Sequence, residues 1–251
     1  MPNPAVFFPE SNKKTIRSYV LRTGRMTAGQ TAALRRHWPA YRLSLHEDKP
    51  VCWRTIFGRE APVVLEIGFG MGDSLLTMAR AEPDKDFVGI EVYPPGVGHL
   101  IAQAVKENVG NLRVYLADAT DVVETCIPAR SLARVQVFFP DPWPKKKHHK
   151  RRLVQRAFVD RVTEKLSDHG ILHLATDWQP YAEHMREILD NTPALQNIQA
   201  QGGYSARPDY RPPTKFERRG EKLGHGIWDL IYRRNEVCTG VAGRARRPES
   251  A

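Results

Sequence analysis

Short apolar runs that each end at or beside a carboxylate recur along the middle of this chain at the spacing of one strand-plus-helix unit. That recurrence restricts it to an α/β architecture with a mainly parallel sheet. Val63–Gly68 (VVLEIG) contains Glu66, and Phe87–Val92 (FVGIEV) contains Glu91. Leu112–Leu116 (LRVYL) runs on to Asp118, and Val135–Phe139 (VQVFF) to Asp141. The intervals between the four acids are 25, 27 and 23 residues, enough for a strand, a right-handed crossover helix and its turns. Helical spacing fills the gaps at Asp73–Ala81 and His99–Asn108, and returns at Leu153–Ser167, where apolar residues fall at 153, 154, 158, 159, 162 and 166. Gly170–Ala175 reads as a fifth strand, Tyr181–Leu189 as a helix and Gly226–Tyr232 as a last strand.

In open parallel sheets, ligands bind beyond the carboxyl ends of the strands. The four carboxylates therefore converge on one crevice, unless each merely caps the helix that follows it. The first βα turn reads Glu66-Ile67-Gly68-Phe69-Gly70-Met71-Gly72. Its glycines permit a tight turn and close approach of a ligand to the backbone. The spacing is G-x-G-x-G, not the G-x-G-x-x-G of dinucleotide sites. A carboxylate just before the first glycine repels a pyrophosphate but suits an ammonium or sulfonium group. S-adenosylmethionine (SAM) carries both, so Glu66, Gly68 and Gly70 favour SAM over NAD. Glu91 is placed to accept from ribose hydroxyls and Asp118 from the adenine amino group.

The fourth strand ends in Phe139-Pro140-Asp141-Pro142-Trp143-Pro144, whose three prolines stiffen a loop around Asp141. Trp143 offers a face for stacking. The run KKKHHKRR follows at once, with six Lys or Arg, two His and no acid across residues 145–152. A run of that kind is commonly just a solvated face; beside an active-site loop it suits phosphate contact. Asp177 ends the fifth strand and faces the same crevice or caps the next helix. Tyr210–Glu221 (YRPPTKFERRGE) suits RNA contact or a plain surface loop.

Charge points the same way. Residues 1–59 carry 11 Lys and Arg against 3 acids, residues 60–144 carry 6 against 12, and residues 145–251 carry 21 against 13, for a net charge of +10. Two basic flanks around an acidic middle suggest a polyanionic partner, nucleic acid first, against the plainer reading of solubility alone. Cys52, Cys126 and Cys238 are widely spaced and odd in number, so neither a disulfide framework nor a metal site is expected, and the cytoplasm is the default compartment. No apolar run approaches the roughly 18–20 residues of a membrane span. Met1–Glu10 lacks a signal-peptide core. Residues 1–35 show few periodic apolar positions and read as a flexible arm that orders on binding, and Val237–Ala251 as a disordered tail. Trp38, Trp53 and Trp228 read as packing residues.

Taken in order, Arg17-Ser18-Tyr19 with Gly24-Arg25-Met26-Thr27, LEIGFGMG, GIEV, FFPDPWPKKKHHKRR, ATDW, TKFE and GHGIWDL resemble the bacterial tRNA (guanine-N7-)-methyltransferases over about residues 15–235. PDPWPKxxHxKRR and TKFE are the specific motifs; the glycine loop is common to many methyltransferases. The resemblance implies a Rossmann-like class I SAM-dependent methyltransferase, with a mainly parallel seven-stranded sheet and helices on both faces. On this division residues 59–235 form the methyltransferase domain, 1–58 a basic extension and 236–251 a tail. The implied reaction moves a methyl group from SAM to N7 of a guanine in the tRNA variable loop. Glu66, Gly68, Gly70, Glu91, Asp118 and Asp141 would bind SAM, with Asp141 also catalytic. Lys145, Asp177, Thr214, Lys215, Phe216 and Glu217 would bind the substrate. Lys147, His148, His149, Lys150, Arg151 and Arg152 would touch RNA. A monomer or homodimer without metal is expected. Pro144 departs from the residue seen in some relatives, and nothing in the resemblance covers the segment after Asn235.

Two rival readings stand beside it. Asp141-Pro142-Trp143-Pro144 loosely matches the Asp/Asn-Pro-Pro-aromatic loop of enzymes that methylate an exocyclic base amine. A catalytically silent RNA-binding protein on the same fold is the other, against which Glu66, Glu91 and Asp118 argue.

Overall fold

The computed structural model describes residues 16–20, 24–45, 49–214, 217, 224 and 226–236. One eight-stranded sheet runs in the order β1-β4-β3-β2-β5-β6-β8-β7. Its strands are β1 (Arg42–Leu43), β2 (Val63–Ile67), β3 (Asp86–Glu91), β4 (Leu112–Leu116), β5 (Leu132–Phe138), β6 (Leu166–Thr176), β7 (Leu195–Asn197) and β8 (Trp228–Arg234). Strands β1 to β6 pair in parallel, and β8 lies antiparallel between β6 and β7. The seven strands implied by the family resemblance are β2 to β8. The eighth, β1, is a two-residue edge strand held to β4 through Arg42 and Val114, too short to leave an alternating pattern.

The helices are α1 (Ala28–Tyr41), α2 (Trp53–Phe57), α3 (Asp73–Ala81), α4 (Pro94–Lys106), α5 (Ala119–Thr125), α6 (Arg156–Lys165) and α7 (Gln179–Asp190). Every residue of β2 and β3 is buried, as a parallel sheet covered on both faces requires. Alternation splits them between two cores. Val64 and Phe87 face α1, α3 and α4, whereas Leu65 and Val88 face the side of α5, α6 and α7. Each such side chain contributes about 1.5–3 kcal/mol by leaving water. Strand order reverses between β2 and β5, which opens the crevice where ligands of this architecture bind.

The expected flexible arm ends earlier than residue 35, because residues 28–35 are helical. Thr27 and Gln30 form a reciprocal capping box, with Thr27 Oγ1 accepting from the Gln30 amide at 3.2 Å and Gln30 Oε1 from the Thr27 amide at 2.8 Å. Only Ala33 and Leu34 of α1 are buried, so the helix shows almost no periodicity. It lies so close to α4 that a methyl group at Gly98 would come 2.9 Å from the Gln30 carbonyl oxygen. Helix α4 starts earlier than expected, at a proline suited to a first turn. Helix α6 starts and stops inside its expected bounds, because Leu166 already pairs with Leu132 in the sheet. The expected tail, Val237–Ala251, lies outside the described residues. Among the described residues no helix is long and apolar enough to cross a membrane.

Candidate active site

The glycine loop after β2 is built on left-handed backbone. Gly68, Gly70 and Gly72 have φ of 76°, 61° and 81°, a region where a side chain is strained. Glu91, at the end of β3, holds this loop from beneath. Its Oε2 accepts from the Gly70 amide at 2.7 Å, and its Oε1 accepts from the amides of Val92 at 2.7 Å and Tyr93 at 3.1 Å. Burial raises the Glu91 carboxyl above its ordinary range, and the three backbone donors pull the other way. With three acceptances made, a carboxylate retains about one free lone-pair site. Helix α4 closes against the loop, and a methyl at Gly96 would sit 1.9 Å from the Gly70 carbonyl oxygen.

A cavity of about 350 Å³ opens above the loop. It is lined by Glu66, by residues 68–74 and Thr77, by Phe138 and Phe139 at the end of β5, and by Pro212, Pro213 and Thr214. Glu66 is wholly buried, and desolvation pushes its carboxyl up to about 7, opposed by the Gln136 hydrogen bond and by Arg134. Gln136 Nε2 donates to Glu66 Oε2 at 2.8 Å, and Arg134 donates to Gln136 at 3.0 Å and to Glu82 at 2.8 Å. On the facing side, α3 begins at Gly72 with no side-chain cap, so its first amides lack intrahelical acceptors. Beside them the Ser74 hydroxyl is buried without a hydrogen-bond partner among the described residues. A buried carboxylate, a helix start without a side-chain cap and an orphaned hydroxyl around one cavity match a zwitterionic amino-acid group.

Of the acids singled out in the sequence, only Glu66 lines this cavity; Glu91, Asp118, Asp141 and Asp177 are not in its lining, whereas Asp73 of α3 is. Asp118 is the N-cap of α5, with Oδ1 accepting from the Thr120 amide at 2.9 Å, so the capping alternative holds for it. It also accepts from the Tyr19 hydroxyl, whose pKa rises to about 12 through burial and then through the Asp118 charge. Asp141 is exposed on the proline loop, near enough to Glu91 to raise its carboxyl. Phe139 and Trp143 flank it with φ of 53° and 45°, strain that surrounding contacts must hold. Asp177 is half-buried just past β6. It does not cap the next helix, because the N-cap of α7 is Trp178 and no side chain caps it.

The basic run divides by role. Lys145, Lys146, Lys147 and Lys150 are exposed. The His148 ring stands edge-on to Trp143 at 5.7 Å, and desolvation together with neighbouring cations holds it below the usual histidine range. His149 lies 3.2 Å from an Arg152 nitrogen. Arg151 lies 3.9 Å over Trp143 and donates to the carbonyls of Arg17 and Tyr19, both at 3.2 Å, while the Trp143 indole donates to the Ser18 carbonyl at 2.9 Å. Arg152 is only 4% exposed. Its Nε donates to the Pro142 carbonyl at 2.9 Å and its guanidinium covers the Tyr181 ring. The sequence groups Arg152 with the RNA contacts; the structure turns it inward, where it braces the proline loop and lies over Tyr181 of α7.

Thr214 lines the cavity and Glu217 is buried behind it. Lys215 and Phe216 lie outside the described residues. Glu217 is not a free substrate ligand: Arg211 and Arg207 donate to it. Sequence reasoning passed over Ser74 and Thr77, although their three-residue spacing at the start of α3 signals one helix face. It also passed over Pro212 and Pro213, which stand directly before the TKFE motif. Among the described residues no cluster of three or more His, Cys, Asp or Glu is arranged to hold a metal ion.

Comparison with known proteins gives concordant results. Residues 60–230 match the family model described as "Putative methyltransferase". The tRNA (guanine-N(7)-)-methyltransferase of Saccharophagus degradans is 58% identical over 227 residues, 90% of this chain and 99% of that protein. Its counterpart from Alcanivorax borkumensis is 56% identical over 227 residues, 89% of this chain and 94% of that protein. Among solved structures, the 16S rRNA methyltransferase KamB superposes with a TM-score of 0.50 at 15% identity, covering 73% of this chain and 93% of the other, a likeness of fold.

Proposed function

Since the chain belongs to the tRNA (guanine-N7-)-methyltransferase family, we propose that it transfers a methyl group from SAM to N7 of a guanine in the variable loop of tRNA. The observation that carries this reading is the cavity that buried Glu66 shares with the start of α3, which has no side-chain cap, and with Ser74, whose hydroxyl is orphaned. Bound there, SAM supplies a methyl group on a positively charged sulfur that leaves as a neutral thioether.

Glu66 takes the ammonium and the α3 amides with Ser74 take the carboxylate. Glu91 offers its remaining lone pair to a ribose hydroxyl. Asp118 faces the adenine end. Guanine N7 has an in-plane lone pair and no proton, so no general base is required. What the chain must do is align the base and exclude water. Asp141 accepts from the guanine N–H groups and offsets the positive charge that grows on the imidazole ring. Asp177 flanks it, and Thr214 closes the cavity. The exposed lysines 145, 147 and 150 and His148 follow the tRNA phosphates. The methyltransferase domain spans 59–235, the basic extension 1–58 adds α1, α2 and β1 to it, and the cytoplasm holds the substrate.

Incubation with labelled SAM and unmodified tRNA, followed by nuclease digestion and mass spectrometry, tests the reading. Label in 7-methylguanosine from the variable loop is expected. Label on an exocyclic amine, or none despite SAM binding, overturns it.

A further inference from the structure

Arg211 heads the fully buried side chains ranked by size among the described residues, and no step above uses it. Its Nε and Nη2 donate to the two oxygens of Asp229 on β8, each at 2.8 Å. Its Nη1 and Nη2 donate to the two oxygens of Glu217 at 2.6 and 3.2 Å. Glu217 Oε2 in turn accepts from the Thr214 amide at 3.3 Å, and the Thr214 hydroxyl accepts from the Glu217 amide at 3.1 Å. Thr214 is part of the cavity wall. Asp229 is fixed from the sheet by His173 on β6, 2.7 Å away.

We propose that Arg211 is a positioning residue: it clamps Glu217, and with it Thr214, to β8 so that Thr214 stands in the wall of the cavity that Glu66 also lines. The proposal rests on the reading of that cavity as the SAM site. The fork of a guanidinium meets two carboxylates with two parallel bonds each, which an ammonium cannot do. Arg211→Lys therefore retains one buried positive charge but loosens Glu217 and Thr214. Burial of both acids explains why the clamp must be charged and must be complete.

The test is a double-mutant cycle with Arg211→Lys, Thr214→Ala and the pair, read as kcat/KM for tRNA methylation and as SAM Kd by calorimetry. Each single change is expected to lower kcat/KM about tenfold, and the double change no more than about twofold below the weaker single, because the two act through one wall. A residue that serves stability alone gives losses that multiply, and that result overturns the clamp. A readout without ligands is hydrogen exchange at the Thr214 and Glu217 amides. Arg211→Lys speeds exchange there about tenfold or more while β6 and β8 stay protected. Unchanged exchange at those amides, or equal loss of protection in the strands, refutes the proposal. If the native chain methylates no tRNA, the functional reading fails separately, and the exchange measurement still decides the clamp.

Discussion

On the β2–β3 side, the cavity wall is backbone: three left-handed glycines and the start of a helix, held from beneath by a carboxylate that gathers three of the chain's own N–H groups. Elsewhere around the site, the proline loop and Glu217, which is bonded to Thr214 of the cavity wall, are held by buried guanidinium groups. Arg152 grips the Pro142 carbonyl, and Arg211 joins Glu217 to Asp229. The first wall depends on the absence of side chains, and the second on the longest ones. A cofactor that must approach the main chain needs the former. A polynucleotide base entering between irregular loops needs those loops fixed at particular angles, and a five-donor planar fork does that better than packing.

The contrast can be broken from either side. The largest effect is expected from Arg211→Met. It takes the shared cation from buried Glu217 and Asp229 and leaves them only the longer Arg207 contact and His173, at about 3–5 kcal/mol of stability, visible as a Tm lower by about ten degrees. If thermal unfolding hardly moves, the second wall does not depend on its guanidinium. Gly96→Ala acts on the first wall by pushing α4 off the glycine loop. SAM affinity by calorimetry falls about a hundredfold, about 2.7 kcal/mol, with tRNA affinity unaltered.

Glu66→Gln sharpens the comparison by separating folding from binding. The folded-state carboxyl sits at about 7 against an ordinary value of 4.5. Its ionisation therefore opposes folding, fully above the folded value and not at all below the ordinary one. The variant is expected to be more stable than the parent at pH 8, by no more than about 3 kcal/mol, with the advantage fading as pH falls through that interval. SAM binding weakens about tenfold over the same high-pH range. Equal Tm at pH 8 refutes the assignment of Glu66 as a buried charge awaiting a cation. The smallest effects divide the basic run. Lys147→Ala and Lys150→Ala each weaken tRNA binding two- to threefold, roughly, and reduce the salt slope by about one. Arg152→Lys leaves that slope unchanged but lowers kcat about tenfold through the proline loop.

The two walls also differ in how far they are visible in sequence. Strands β2 to β6 announce themselves because a buried parallel strand is a run of apolar residues, and the glycine spacing after β2 is local. Asp118 shows the limit of that evidence, since the strand-end carboxylate that the sequence offers to the crevice is also the N-cap of α5. Helix α1 escaped periodicity because it buries two residues, although Thr27 and Gln30 are a readable cap. Arg152 and Arg211 escaped because a buried arginine and a solvated one look alike in a string. Only the partners reveal the difference, and Asp229 lies 18 residues from Arg211 along the chain.

The antiparallel entry of β8 has a practical corollary. Residues 17–19 cross the rim where the parallel strands end, pinned by Trp143 and Arg151. Trp228 pairs with Thr176 at that same rim, but Arg233 pairs with Ile171, nearer the far margin of the sheet. A fluorophore or purification handle appended beyond β8 thus departs from the underside, whereas one joined just ahead of residue 17 begins at the rim where the proposed tRNA contacts lie.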